Sequence, residues 1–122
     1  MFVITQAIGS FAVDDLGRAK EFYGGTLGLR VSEPKDGLLR LHFDVGQDVL
    51  VYRKPDHVPA GFTVLNFPVT DIDEAVDALV ERGVTFERYD HPKTDEKGID
   101  RAERVAWFTD PAGNILSVVR GR

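Results

Sequence analysis

Cysteine is absent from the 122 residues of the sequence. This excludes a disulfide framework, a thiolate metal site and a cysteine nucleophile, and with them several classes of enzyme. The sequence also lacks the run of roughly 18 to 20 apolar residues that a membrane-spanning helix needs. Its first ten residues, "MFVITQAIGS", have no basic flank, so we interpret them as a strand and not as a signal peptide. These absences favour a cytoplasmic protein with no membrane partner.

Clustered positive charge is also missing. The chain has 15 Lys and Arg residues against 20 Asp and Glu, a net charge of −5, and its basic residues are scattered among acidic ones. Nucleic-acid binding depends on clustered bases that neutralise phosphates. We therefore expect no nucleic-acid partner. A small molecule or another protein is favoured.

The most informative feature of the sequence is a repeated six-residue motif. "FAVDDL" at residues 11–16 returns as "FPVTDI" at residues 67–72, a shift of 56 positions. After each copy, apolar residues recur at spacings of three and four, which predicts a helix capped by Asp15 in the first copy and Asp71 in the second. Each helix is followed by three extended segments separated by turn signals. The order strand-helix-strand-strand-strand therefore occurs twice.

The two copies define two modules of one domain, at about 1–55 and about 62–122, joined by the linker "KPDHVPAG" at residues 54–61. The segments predicted as strands after the first helix are "LRVSE", "LLRLHFDV" and "DVLVYRK", and those after the second are "VTFERY", "RVAWFT" and "NILSVVR". A unit of about 60 residues is marginal in core size, so we expect the modules to share one sheet. The predicted fold is α+β: two tandem β-α-β-β-β modules forming a curved mixed sheet, with a concave cleft and the helices on the outer face.

Three longer stretches, "FAVDDLGRAKEFYGGTLGLRV", "FPVTDIDEAVDALVERGVTFE" and "AWFTDPAGNILSVV", resemble the vicinal oxygen chelate superfamily, the fold of glyoxalases, bleomycin resistance proteins and extradiol dioxygenases. The resemblance covers almost the whole chain. It implies paired β-α-β-β-β modules with a ligand or metal site in the concave face, often in a homodimer. In members that use a metal, His, Gln or Glu side chains from the first and last strand of each module hold the cation.

The positions that this resemblance assigns to metal ligands are Ile8, Leu50, Val64 and Ser117. None of them supplies an imidazole or a carboxylate, and divalent first-row metals need nitrogen, sulfur or anionic oxygen donors. We therefore predict no metal and no other cofactor.

Strand alternation predicts which side chains line the cleft instead, because every second residue of a strand faces the same side. Trp107 and Tyr52 are suited to stacking on flat rings. Arg40, His42 and Asn66 are suited to orienting a ligand. The full predicted lining is Ser10, Arg40, His42, Leu50, Tyr52, Val64, Asn66, Val105, Trp107 and Ser117. No residue is assigned a catalytic role, and His57 and His91, beside prolines in loops, are expected at the surface.

Three functions remain open. The favoured hypothesis is a metal-free, bleomycin-resistance-like protein that sequesters an aromatic or amphipathic small molecule, as a homodimer. The second is an enzyme of the same superfamily, a lyase, isomerase or dioxygenase, with displaced metal ligands or with His42 and Tyr52 as acid and base. The third is an interaction domain whose cleft is filled by its own side chains. The acidic loop at residues 93–103 is expected to be a solvated, mobile connection, with a lid over the cleft as its alternative.

Overall fold

The computed structural model describes residues 1–121, which divide into two compact units, Met1–Val58 and a second that begins at Pro59. We call them the first and second module. Each holds a four-stranded mixed sheet, so the predicted α+β class and the two modules are confirmed. Each sheet is hydrogen-bonded within its own module, so the described residues do not form the one shared sheet that was expected from the sequence. No helix in the described part of the chain is long and apolar enough to cross a membrane.

The first module has the sheet order β1-β4-β3-β2, in which β1 and β4 are parallel and the other neighbours antiparallel. The predicted cap is present, because the Asp15 carboxylate accepts a hydrogen bond from the Arg18 backbone N–H at 3.1 Å. Tyr23 lies fully buried, with its ring 5.8 Å from that of Phe11. The elements are β1 (Gly9–Val13), α1 (Leu16–Lys20), a π-helical turn (Glu21–Thr26), β2 (Arg30–Lys35), β3 (Leu38–His42) and β4 (Val49–Arg53).

The strand expected at the N-terminus is shorter than predicted. Only Gly9 and Ser10 of the first ten residues belong to β1. Gly9 is opposite Val49, the first residue of β4, so β4 has no further residue to pair with the preceding segment. Phe2 and Ile4 are consequently exposed, with 85% and 76% of their surface accessible.

The second module repeats this arrangement, with the order β5-β8-β7-β6 and β5 parallel to β8. Asp71 caps α2 by accepting a hydrogen bond from the Glu74 backbone N–H at 3.1 Å, as predicted. The helix packs its apolar face, including buried Val76, against β7 and β8. The elements are β5 (Thr63–Val69), α2 (Ile72–Glu81), β6 (Ile99–Asp100), β7 (Val105–Thr109) and β8 (Ile115–Arg120).

The predicted strand "VTFERY" is wrong. Residues 84–89 form no strand and share one backbone hydrogen bond with β7, from the Glu87 N–H to the Trp107 carbonyl at 2.8 Å. The neighbouring edge of β7 is taken by β6, which pairs with Val105 and Ala106. The alternating apolar residues Val84 and Phe86 are nevertheless buried, although the segment forms no ladder of strand hydrogen bonds.

The acidic loop is tied to α2. The Lys97 ammonium contacts the Asp73 and Asp77 carboxylates at 2.9 Å each, and the Arg101 guanidinium binds Asp73 through two nitrogens at 2.8 and 2.9 Å. Between those two cations Ile99 is fully buried. The centre of this loop is therefore buried and ion-paired, and is not the solvated connection that was expected.

Candidate functional site

The predicted lining residues of the first module form one row across its sheet. Ser10 is opposite Leu50, and Leu50 is opposite Arg40. Leu39 and Leu41 alternate with this face and are fully buried on the other side of β3. The row therefore lies on the face of the sheet opposite Leu39 and Leu41.

The second module carries the equivalent row. Asn66 is opposite Ser117, and Ser117 is opposite Trp107. The buried Ser117 hydroxyl donates to the Asn66 side-chain carbonyl at 2.6 Å. Val105, two residues before Trp107, lies on the same face and is buried. Val64 is the extra residue of a bulge in β5, where the register shifts between Thr63 and Leu65.

His42 and Tyr52 are not brought together. Tyr52 is opposite Leu38, whereas His42 lies four residues further along β3. At about 3.3 Å per residue, that separation is roughly 13 Å along the strand. The two side chains cannot act on each other directly as an acid and base pair.

The partners of His42 are Ser32 and Asp48, which the sequence did not single out. The Ser32 Oγ lies 2.6 Å from His42 Nε2, and His42 Nδ1 lies 3.1 Å from Asp48 Oδ2. Asp48 also accepts from Arg40 Nε at 2.8 Å and from the Phe43 backbone N–H at 3.2 Å. The Arg40 guanidinium and then the Phe43 N–H hold the pKa of the Asp48 carboxyl below its usual value. Asp48 is therefore a carboxylate at neutral pH.

An aromatic groove of about 280 Å³ lies in the second module, beside Trp107. The Tyr89 ring meets the Trp107 ring edge-on, with centroids 5.7 Å apart and an interplanar angle of 71°. Partial burial raises the pKa of the Tyr89 phenol, and the Glu87 carboxylate raises it further, so Tyr89 is neutral and can donate. The groove is lined by Gly61, Phe62, Thr63, Tyr89, His91, Pro92, Trp107 and Ile115.

Sequence reasoning found Trp107 but missed Phe62 and Tyr89. Phe62 lies just before β5, and Tyr89 ends the segment that was predicted as a strand but forms none. His91 is exposed, as predicted, yet it lines the groove. His57 is half-buried instead of lying at the surface, and its Nε2 has no hydrogen-bond partner among residues 1–121.

The positions at which the family holds a metal do not fit one here. Ile8 is exposed and lies outside β1, and Leu50 and Val64 carry only hydrocarbon. The one polar side chain of the set, Ser117, is bonded to an amide oxygen. Within residues 1–121, no three His, Asp or Glu side chains lie close enough together to hold an ion. The donor chemistry of these four residues offers nothing that a divalent first-row metal prefers.

The chain belongs to the glyoxalase/bleomycin resistance protein/dioxygenase superfamily, whose family model matches residues 7–118. This confirms the resemblance found in the sequence. No curated protein sequence matches the chain.

Solved structures share the fold over nearly the whole chain. TnmS3, an antibiotic binding protein from Streptomyces sp. CB03234, is 25% identical, with a TM-score of 0.72 over 100% of this chain and 99% of its own. A superfamily member from Sphaerobacter thermophilus is 26% identical, with a TM-score of 0.69 over 98% of both chains. The fosfomycin resistance protein FosX from Listeria monocytogenes is 14% identical, with a TM-score of 0.71 over 99% of this chain and 96% of its own, and shows the fold alone.

Proposed function

We propose that this protein binds a small aromatic or amphipathic molecule, without a metal, at the groove of the second module. The observation that carries the proposal is the grouping of Phe62, Tyr89 and Trp107 around one groove. Ligand sites are concave and mostly apolar, with a few polar groups that fix orientation. Here the Tyr89 hydroxyl and the His91 imidazole supply polar points beside aromatic surface.

The size and geometry of the groove restrict the ligand. Its volume of about 280 Å³ is close to the lower end of ligand pockets, roughly 300 Å³. It therefore suits one flat ring system, or the aromatic part of a larger compound. The edge-on contact of Tyr89 with Trp107 leaves a ligand ring to pack against their remaining surfaces in offset-stacked or edge-on geometry.

Similarity to an antibiotic binding protein supports the ligand class. TnmS3 matches this chain from end to end at 25% identity. An aromatic antibiotic is therefore the first ligand class to test, and sequestration is the mechanism that we propose for any protection. A cytoplasmic location and a homodimer belong to the same proposal.

Trp107 provides a direct test, because it is the only tryptophan in the sequence. A panel of planar aromatic antibiotics should include members that change the fluorescence of Trp107 saturably at one equivalent. The same members should raise the thermal midpoint, since a ligand that binds only the native state stabilises it by mass action. Protein treated with EDTA should bind them equally well.

Matched variants distinguish the groove from other exposed aromatic surface. Tyr89→Ala and Phe62→Ala should weaken binding by about 5- to 30-fold each, the loss expected for roughly 1 to 2 kcal/mol of aromatic contact. Phe2→Ala, which removes an exposed ring elsewhere, should leave the affinity unchanged. Equal losses in all three variants, or binding that requires an added metal, would contradict the proposal.

A further inference from the structure

Three side chains of the first module form a continuous hydrogen-bonded chain on its sheet. The chain runs from Ser32 Oγ to His42 Nε2 at 2.6 Å, and from His42 Nδ1 to Asp48 Oδ2 at 3.1 Å. Ser32 lies on β2, His42 ends β3, and Asp48 immediately precedes β4. The residues are therefore positioned by three consecutive strands, and they lie in a different module from the aromatic groove.

The direction of both hydrogen bonds follows from the charge of Asp48. A carboxylate can only accept, so His42 Nδ1 must carry the proton that it shares with Asp48. In the neutral imidazole, Nε2 then has a free lone pair and accepts a hydrogen bond from the Ser32 hydroxyl. Arg40 and the Phe43 N–H keep Asp48 charged and fix its orientation. This is the tautomer that a histidine needs to act as a base toward a serine hydroxyl.

Solvent exposure increases along the hydrogen-bonded series from Asp48 through His42 to Ser32. The side chains of Asp48 and His42 are 20% and 25% accessible, while Ser32 is exposed on β2, an edge strand of its sheet. The group that would attack a substrate is thus open to solvent, and the groups behind it are shielded. A purely structural role for Asp48 is already fulfilled by Arg40 and the Phe43 N–H and does not require the serine.

Arg40, which is ion-paired with Asp48, is the cross-strand neighbour of the serine. Its Cα is opposite that of Ser32 in the β2–β3 register, on the same sheet face. Its one ion pair within residues 1–121 uses Nε, which leaves both terminal guanidinium nitrogens available to a bound anion. A fixed cation near a reacting carbonyl stabilises the oxyanion that develops there.

We propose that Ser32, His42 and Asp48 form a hydrolytic site for small carboxylic esters, with Ser32 as the nucleophile. His42 Nε2 takes the hydroxyl proton while Ser32 Oγ bonds to the carbonyl carbon. The tetrahedral intermediate collapses, the carbon–oxygen bond to the alcohol breaks, and the imidazolium returns its proton to the departing alcohol. Water then attacks the acyl-serine by the same route and releases the acid. One ester and one water yield one acid and one alcohol.

The test uses p-nitrophenyl acetate with the full-length chain. A burst of nitrophenolate should accompany one acetyl group on the protein, and peptide mass spectrometry should locate it on Ser32. Ser32→Ala should abolish the acetylated peptide and lower the burst rate by at least about 100-fold, the lower range for removal of an assisted nucleophile. His42→Gln should lower the rate comparably without removing the serine.

Thr5→Ala is the control, because Thr5 is an exposed hydroxyl residue in the segment before β1, outside the predicted lining. It should retain the wild-type rate. Asp48→Asn is a positioning variant, and it should lower kcat while leaving KM within about twofold, since only the imidazole is misoriented. If Asp48→Asn does not fold, the Ser32 and His42 variants decide alone. Acetylation confined to lysines or spread equally over serines, or an unchanged rate in Ser32→Ala, would overturn the proposal.

Discussion

At Gly98 two stretches of backbone in the second module meet closely. The residue has φ of +86°, and a Cβ there would lie 2.8 Å from the Glu87 carbonyl oxygen and 2.9 Å from the Phe86 Cβ. No larger residue fits without moving the extended segment at 84–89, which ends at the groove residue Tyr89. A glycine in the acidic loop thus determines how closely the loop approaches that segment.

Gly98→Ala is expected to lower the free energy of unfolding by about 3 to 4 kcal/mol, because it combines a left-handed backbone with a steric clash. Gly83→Ala is the matched control. Gly83 has φ of +96° but nothing within 4 Å of its missing Cβ. It should lose only the conformational part, about 1 to 2 kcal/mol. Urea denaturation measures both, and equal losses would show that the close approach contributes nothing.

Sequence could predict residues whose roles are local and could not predict those that depend on register. Asp15 and Asp71 were identified as caps because a cap bonds a backbone N–H three residues away. Ser32 and Asp48 were missed because their convergence on His42 depends on two strand registers and on the turn before β4. The local sequence around Ser32 or Asp48 does not indicate that either residue contacts His42.

Among the elements, α2 and the acidic loop are joined by charge. Asp73, in the first turn of α2, binds both Lys97 and Arg101. The Arg101 guanidinium and then the Lys97 ammonium hold the pKa of the Asp73 carboxyl far below its usual range. A carboxyl whose pKa is depressed in the native state stabilises that state at pH values above its unfolded pKa. The stabilisation is lost as pH falls through the unfolded pKa, near about 3.9, toward the lower native value.

Asp73→Asn should therefore lower stability at pH 7 and make the loss of stability on acidification shallower than in the wild type. The difference at pH 7 should shrink in about 1 M NaCl, because the groups are solvent-accessible and the salt screens them. Urea denaturation between pH 7 and pH 2 is the measurement. Asp14→Asn is the control, since Asp14 is exposed and forms no ion pair in residues 1–121. Identical pH profiles for wild type and Asp73→Asn would refute the coupling.

One secondary-structure element was predicted wrongly from the sequence pattern. Residues 84–89 alternate like a strand, yet β6 already occupies the edge of β7 that they would need. Val84 and Phe86 are buried at alternating positions even though the segment forms no strand. The alternation pattern does not indicate which of two segments pairs with the edge of β7.

For the whole molecule, the apolar N-terminal segment bears on assembly. Phe2 and Ile4 belong to a segment, residues 1–8, that has no strand partner in its module. Large apolar side chains exposed in neighbouring positions are candidates for an interface. It supports the proposed homodimer.

The double variant Phe2→Ser and Ile4→Ser is expected to shift the molar mass from dimer to monomer while leaving the circular dichroism spectrum unchanged. Light scattering after size-exclusion chromatography measures the mass. Val45→Ser is the matched control, since Val45 is 91% exposed in the turn before β4. It should leave the dimer intact. A wild-type protein that is monomeric at high concentration would refute the assembly.

The two sheets follow one register, with Ser10, Leu50 and Arg40 in the first occupying the places of Asn66, Ser117 and Trp107 in the second. The core-facing positions next to these residues carry apolar side chains in both sheets. Leu39 and Val51 in the first correspond to Ala106 and Val118 in the second. The residues on the core face are thus apolar in both modules, whereas those on the opposite face differ in residue type. Ser117 is buried and bonded to Asn66, whereas Leu50 is half-buried, so exchanging the two rows would disturb the packing of the second module.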